Sequence, residues 1–141
     1  MIQGARLGIY DEKGLVAATP YIGRSNRWLA PLGAADLDGD GAIEIAYIDR
    51  PHLAKTLRIW RFLNGTLTHL ADQAGLTNHK IGEDFISGGV LSCAGGVPQI
   101  VTANANWSRV MVSQFESGQI TTTDDGPFSS ARLKQRASTC P

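Results

Sequence analysis

The sequence predicts an all-β fold, a propeller-like array of four-stranded antiparallel blades, with about two and a half blades in this chain. Three observations predict it. Apolar residues alternate with period two through most of the chain, and no segment keeps a helical stripe for three turns. Hairpin turns containing glycine recur at an interval of roughly 50–55 residues. Glycine is 16 of 141 residues while charged residues are only 18%, against averages of about 7% and about 25%, as tight turns between short strands require.

The first alternating run is Leu7-Gly8-Ile9-Tyr10, followed by a turn at Gly14 and a second strand, Leu15–Ala18. This hairpin reads as half a blade within residues 1–20. The first full blade spans 28–72. It opens with strand Leu32–Leu37, passes through an acidic loop to strand Ile43–Ile48, and closes with a hairpin. That hairpin is Leu57–Phe62, a turn at Gly65, and Thr66–Leu70. The second blade, 83–123, repeats the outline with Gln99–Asn104, Val110–Phe115, a turn at Gly118 and Gln119–Thr123. Gly33 falls on Gly88 when the first unit is shifted onto the second. The acidic loop does not survive the shift: Asp36, Asp38 and Asp40 fall on Leu91, Cys93 and Gly95. The tail, 124–141, offers an extra strand around Ala131-Arg132-Leu133. The only helix expected is one turn at Pro51–Lys55 and another near Ala71–Ala74.

Composition excludes several functions. Thirteen basic residues balance thirteen acidic ones, so there is no global field to hold nucleic acid. Hydrophobic content of 43% is too high for a disordered chain. No apolar run is long enough for a transmembrane helix. The start, Met1–Arg6, lacks the pattern of a secretory signal. Cys93 and Cys140 do not form a Cys-x-x-Cys pair. They read either as two buried thiols or as one disulfide tying down the tail, worth roughly 2–4 kcal/mol.

The strongest chemical signal is Asp36-Leu37-Asp38-Gly39-Asp40-Gly41-Ala42-Ile43-Glu44. Carboxylates at loop positions one, three, five and nine converge if the chain curls around a point, and Gly41 permits the sharp turn. With the Ala42 carbonyl facing inward they make a hard-oxygen cage suited to Ca²⁺. Without a cation the same set would crowd negative charge at real cost. The bland alternative is an Asp/Gly surface turn. An EF-hand is excluded, because position twelve is Tyr47 rather than Glu and strands flank the loop.

This loop, closing on Glu44-Ile45-Ala46-Tyr47 and followed by Leu57-Arg58-Ile59-Trp60 with Asn64-Gly65, resembles the FG-GAP or VCBS repeats of bacterial secreted proteins and integrin α-subunit propellers. The resemblance covers about Leu7–Thr123. It implies that the loop joins the first two strands of a blade and binds calcium through Asp36, Asp38, Asp40, Glu44 and the Ala42 carbonyl. It also implies an exported, periplasmic or extracellular location. A closed propeller needs at least about four blades, so the chain is expected to be the C-terminal part of a longer propeller-like protein or to complete itself by self-association.

In an up-and-down blade the loops joining strands two to three, and those joining blade to blade, lie opposite the acidic one. They carry Arg24, Arg27, Trp28, His52, His79, Lys80, Asp84, Trp107 and Arg109, a composition suited to a partner-binding rim. The bland reading is that loops are polar and tryptophans cap cores. From these loops, Arg24, Arg27, Trp28, His79, Asp84 and Trp107 are the candidate partner-binding residues. No catalytic residue is assigned: nucleophile elbow, phosphate loop and His-Glu-x-x-His are all missing from the sequence. A Cys93–His79 nucleophile–base pair is disfavoured because the two are expected at opposite ends of the blade. The sequence therefore points to a non-enzymatic calcium-binding module for a protein or carbohydrate ligand. The alternative is an all-β hydrolase domain with catalytic residues partly outside this chain.

Overall fold

Alternating runs interrupted by short turns pair with their neighbours in order. The computed structural model describes residues 8–19 and 29–140. Strands β1 (Gly8–Asp11) and β2 (Gly14–Ala18) form a two-stranded sheet. Strands β3 (Leu29–Ala35), β4 (Ile43–Asp49), β5 (Thr56–Leu63) and β6 (Thr66–Ala74) form a four-stranded antiparallel sheet in chain order. A five-stranded sheet follows from β7 (Leu76–Thr77), β8 (Gly89–Leu91), β9 (Gln99–Asn104), β10 (Arg109–Glu116) and β11 (Gln119–Pro127). Helix α1 (Ser130–Ser138) ends the described chain. The fold is all-β, and among the described residues no sheet closes on itself.

The hairpins lie where the glycines place them. Asn64-Gly65 has φ of 53° and 77°, and Ser117-Gly118 has 52° and 75°. Two successive positive φ values in a two-residue connection give a type I′ turn, whose twist matches that of the flanking strands. Both outer strands run further than expected. In particular, the Ala71–Ala74 helical turn is instead the end of β6, paired as Ile59↔Ala71 and Thr56↔Ala74. Ladder pairing with β5 overrides a short Ala/Asp run whose own preference is weak. Pro51–Lys55 forms a tight turn in which the Leu53 and Lys55 amides both donate to the Arg50 carbonyl.

The second sheet repeats the first with its opening strand split. Leu76 and Thr77 pair with Asn104 and Ala103, and Gly89, Val90 and Leu91 continue along the same strand opposite Val101, Ile100 and Gln99. Residues 78–88 leave the ladder and return. Gly88 closes the excursion at φ 87°, where a Cβ would lie 2.2 Å from the Val101 carbonyl oxygen, so only glycine fits.

The two larger sheets stack face to face. Ala46, Ile48, Leu57 and Ile59 from the first meet Leu76, Ile100 and Phe115 from the second, all essentially buried. Leu37, from the acidic loop, joins this core at 1% exposure. The back of the second sheet presents Val101, Val110 and Val112, and α1 covers it through Leu133 with Phe128 and Trp107 alongside. The sequence placed a strand at Ala131-Arg132-Leu133, and the structure overturns this. Ser129 caps the helix by accepting from the Arg132 amide, which satisfies one of the free donors of the first turn. A Cys93–Cys140 disulfide, with Cα atoms 5.8 Å apart, ties the end of the helix to the β8–β9 connection. Of the two readings open for the cysteines, the disulfide is the one realised.

Candidate metal centre and the opposite loops

The acidic loop connects β3 to β4, so strands flank it on both sides. Gly39 and Gly41 take φ of 76° and 88°, and the loop folds back on its own carboxylates. Asp36 accepts from the amides of Asp40 (3.1 Å) and Gly41 (2.8 Å), and Asp40 accepts from Ala42 (2.9 Å). Glu44 arrives from β4 on the face that packs against the second sheet and is fully buried. Its Oε1 accepts from the Leu37 amide at 2.8 Å. One carboxylate oxygen from each of Asp36, Asp38, Asp40 and Glu44 lies within 4.8 Å of the others. The four acidic residues named from the sequence are thus brought together; Ala42, 8% exposed, sits beside them.

Arg61 was not anticipated. It lies opposite Glu44 in the β4–β5 ladder and spreads its guanidinium over the cluster. Nη2 is 2.8 Å from Asp38 and 3.0 Å from Asp40, and Nε is 3.1 Å from Glu44. The signal was the alternation Leu57, Ile59, Arg61, which puts a cation on the inner face. Recognising its partner required the strand register. Burial pushes the Glu44 carboxyl above its usual range, and the nearby Asp38 and Asp40 charges push it the same way, while Arg61 and the Leu37 amide oppose them. Arg61 is itself held further above its ordinary value, chiefly by its hydrogen bond to Glu44.

At these separations each like-charge pair repels by roughly 3–4 kcal/mol at an effective dielectric constant of about 20. One guanidinium offsets much of that and leaves the cluster net negative. The donor set is all oxygen, so it fits a hard cation, and the charge imbalance favours a divalent one.

At the other end of the sheets three loops converge. The β4–β5 turn, the 78–88 excursion and the β9–β10 turn surround a recess of about 220 Å³ lined by His52, Lys55, His79, Lys80, Ile81 and Trp107 among others. His79 Nε2 donates to the Glu83 carbonyl at 2.7 Å, which leaves its Nδ1 to accept from His52 Nε2, also at 2.7 Å. Lys55 reaches the Ala105 carbonyl at 2.8 Å. Lys80 lies 4.8 Å from the centres of both the Trp107 and Phe128 rings, within range of a cation–π attraction. Trp107 has a φ of 61°, and Asn104 holds the turn by accepting from the Ser108 and Arg109 amides.

Of the expected rim residues, His79 and Trp107 share this recess, while Asp84 is exposed and does not line it. Arg24, Arg27 and Trp28 lie outside the described residues. Cys93 is committed to the disulfide and cannot act as a thiolate nucleophile. Within the described residues no helix is long and apolar enough to cross a membrane. Comparisons with protein-family models, with curated proteins and with solved structures return no match.

Proposed function

We propose that the chain is a non-enzymatic, calcium-binding repeat module of FG-GAP/VCBS type that binds a protein or carbohydrate ligand through the loops opposite the acidic turn. The observation that carries the reading is the convergence of Asp36, Asp38, Asp40 and Glu44 to within 4.8 Å on a strand-flanked loop. Calcium, with six to eight oxygen ligands in flexible geometry, suits such a loop better than magnesium, which demands a near-ideal octahedron. The Ala42 carbonyl supplies the fifth protein ligand. Bound there, the ion fixes the β3–β4 connection and with it the Leu37 anchor in the core. An extracellular location agrees with the Cys93–Cys140 disulfide, and the millimolar calcium found there fills even a modest-affinity site.

The test is calcium titration calorimetry on the intact chain, paired with thermal melts in calcium and in chelator. The reading expects saturable binding, a higher melting temperature in calcium, and loss of both in Asp36→Asn/Asp38→Asn. Identical melts and no heat of binding would overturn it. For the opposite loops, His79→Ala and Trp107→Ala should each weaken ligand capture without lowering the melting temperature gain from calcium. The same reading has the chain complete a propeller by self-association. A solution mass of one 15.1 kDa chain at all concentrations overturns that element alone.

A further inference from the structure

The first large sheet has a second face, turned away from the core, and it carries a polar-aromatic recess that shares no lining residue with the acidic loop or the three-loop recess, although Arg50 at its edge precedes Pro51 of the latter. Strand alternation puts Ala46, Ile48, Leu57 and Ile59 inward, so Tyr47, Asp49, Arg58 and Trp60 point outward. The register sets them in two adjoining rows: Tyr47, Arg58 and Asp72 cross the sheet in one, Ile45, Trp60 and His69 in the next. The recess holds about 270 Å³, and Tyr47, Asp49, Arg58, Trp60 and His69 are among its lining residues.

Its charges cancel internally. Asp49, only 2% exposed, accepts from Arg50 Nε at 2.9 Å and from Arg58 Nε at 2.8 Å, and Arg58 Nη1 reaches Asp72 at 3.0 Å. Such a surface has no unmet need for an ion. What it retains is a mixture of donors and acceptors. Tyr47, 3% exposed, accepts from the Trp60 indole N–H at 3.0 Å, and its own hydroxyl hydrogen has no acceptor among the described residues. Arg58 Nη2 has no partner among them either. His69 Nε2 is bonded to Asp72 at 2.7 Å, which leaves its Nδ1 as an acceptor. Beside them stands the half-buried indole of Trp60, whose ring lies 5.1 Å from that of His69.

We propose that this recess binds a single neutral pyranose. A sugar hydroxyl both donates and accepts, matching the Tyr47 and Arg58 donors and the His69 acceptor. A pyranose also has an apolar C–H face, which the indole of Trp60 is placed to cover. A phosphate or carboxylate would meet arginines whose charge Asp49 and Asp72 already balance, and an apolar ligand would leave the Tyr47 donor unpaired. The inference does not depend on the metal, nor on anything bound by the opposite loops.

The experiment follows tryptophan fluorescence and saturation-transfer NMR while a panel of methyl pyranosides is titrated into the full chain, once in calcium and once in chelator. At least one pyranoside should saturate at millimolar concentration and receive transfer at its ring C–H protons. Trp60→Ala should abolish the response and Trp107→Ala should leave it intact. Tyr47→Phe keeps the ring and removes the hydroxyl, both the donor offered to the sugar and the acceptor of the Trp60 indole N–H, so it should weaken binding by about threefold to tenfold in a chain that still folds. No saturable response across the panel from a folded wild-type chain overturns the proposal. So does binding that survives Trp60→Ala or that Trp107→Ala removes. If Trp60→Ala does not fold, Tyr47→Phe decides: unchanged affinity overturns it.

Discussion

Glu44 and Arg61 face each other across the β4–β5 ladder, and the guanidinium that bonds Glu44 at 3.1 Å also bonds Asp38 and Asp40. The protein therefore carries its own counter-ion inside the cluster proposed to hold calcium. A cation entering there must share carboxylate oxygens with Arg61 or displace it.

Replacing that counter-ion separates its two effects. Arg61→Met keeps most of the bulk and removes the charge. Calcium affinity should rise by about tenfold or more, because a competing cation is gone. The metal-free chain should lose about 1–3 kcal/mol, because Glu44 remains buried without its partner. Calorimetry and urea denaturation in chelator measure the two quantities. A fall in affinity would show that Arg61 organises the ligands rather than competing for them.

The disulfide closes a loop of 47 residues, for which loss of chain entropy predicts a stabilisation of about 4 kcal/mol, with roughly 2–4 kcal/mol typical in practice. Reduction, or Cys93→Ser/Cys140→Ser, should lower stability by that amount. Hydrogen exchange should accelerate first in α1 and in the back of the second sheet. Equal protection in reduced and oxidised chains would show that Leu133 alone holds the helix.

Gly88→Ala tests the close approach in the second sheet. The added methyl would sit 2.2 Å from the Val101 carbonyl oxygen on a backbone at φ 87°. The expected cost is about 2–4 kcal/mol in urea denaturation, from displacement of β8 together with left-handed strain. Gly118→Ala, also at positive φ but with nothing within 4 Å, should cost only about 1–2 kcal/mol.

His52 supplies a pH dependence. Burial holds its pKa below the ordinary 6.5, and the neighbouring His79 and Lys55 act in the same direction. The unfolded chain therefore takes up this proton first as pH falls. The contribution to stability is complete above about 6.5 and is lost as pH falls from there through the lowered folded value. Thermal melts between pH 5 and 8 should show this slope, and His52→Gln should flatten it.

Much of the fold was legible because its turns demand unusual residues. Asn64-Gly65 and Ser117-Gly118 can form I′ turns where most pairs cannot, and they located both hairpins. The acidic loop was legible because its spacing is chemistry as well as conformation. What stayed hidden depended on partners distant in sequence. Arg61 gains its role only from the β4–β5 register. Ala71–Ala74 is strand because Thr56–Ile59 lies beside it. Helix α1 buries a single residue, Leu133, so it shows no apolar stripe, and only the Ser129 cap could have announced it. The outward recess escaped notice for a related reason, since Tyr47, Trp60 and His69 come from three strands.

The split opening strand of the second sheet has a further consequence. Thr77 and Gly89 both pair with β9 on the same edge, and Ser87 donates back to the Asn78 carbonyl. Both anchors thus stay on the ladder whatever lies between them. Residues 79–86 could be lengthened, shortened or rewritten while the hydrogen-bonded framework stays as it is. Since His79 and Lys80 sit in that span and line the three-loop recess, that recess can diverge faster than the sheet that carries it.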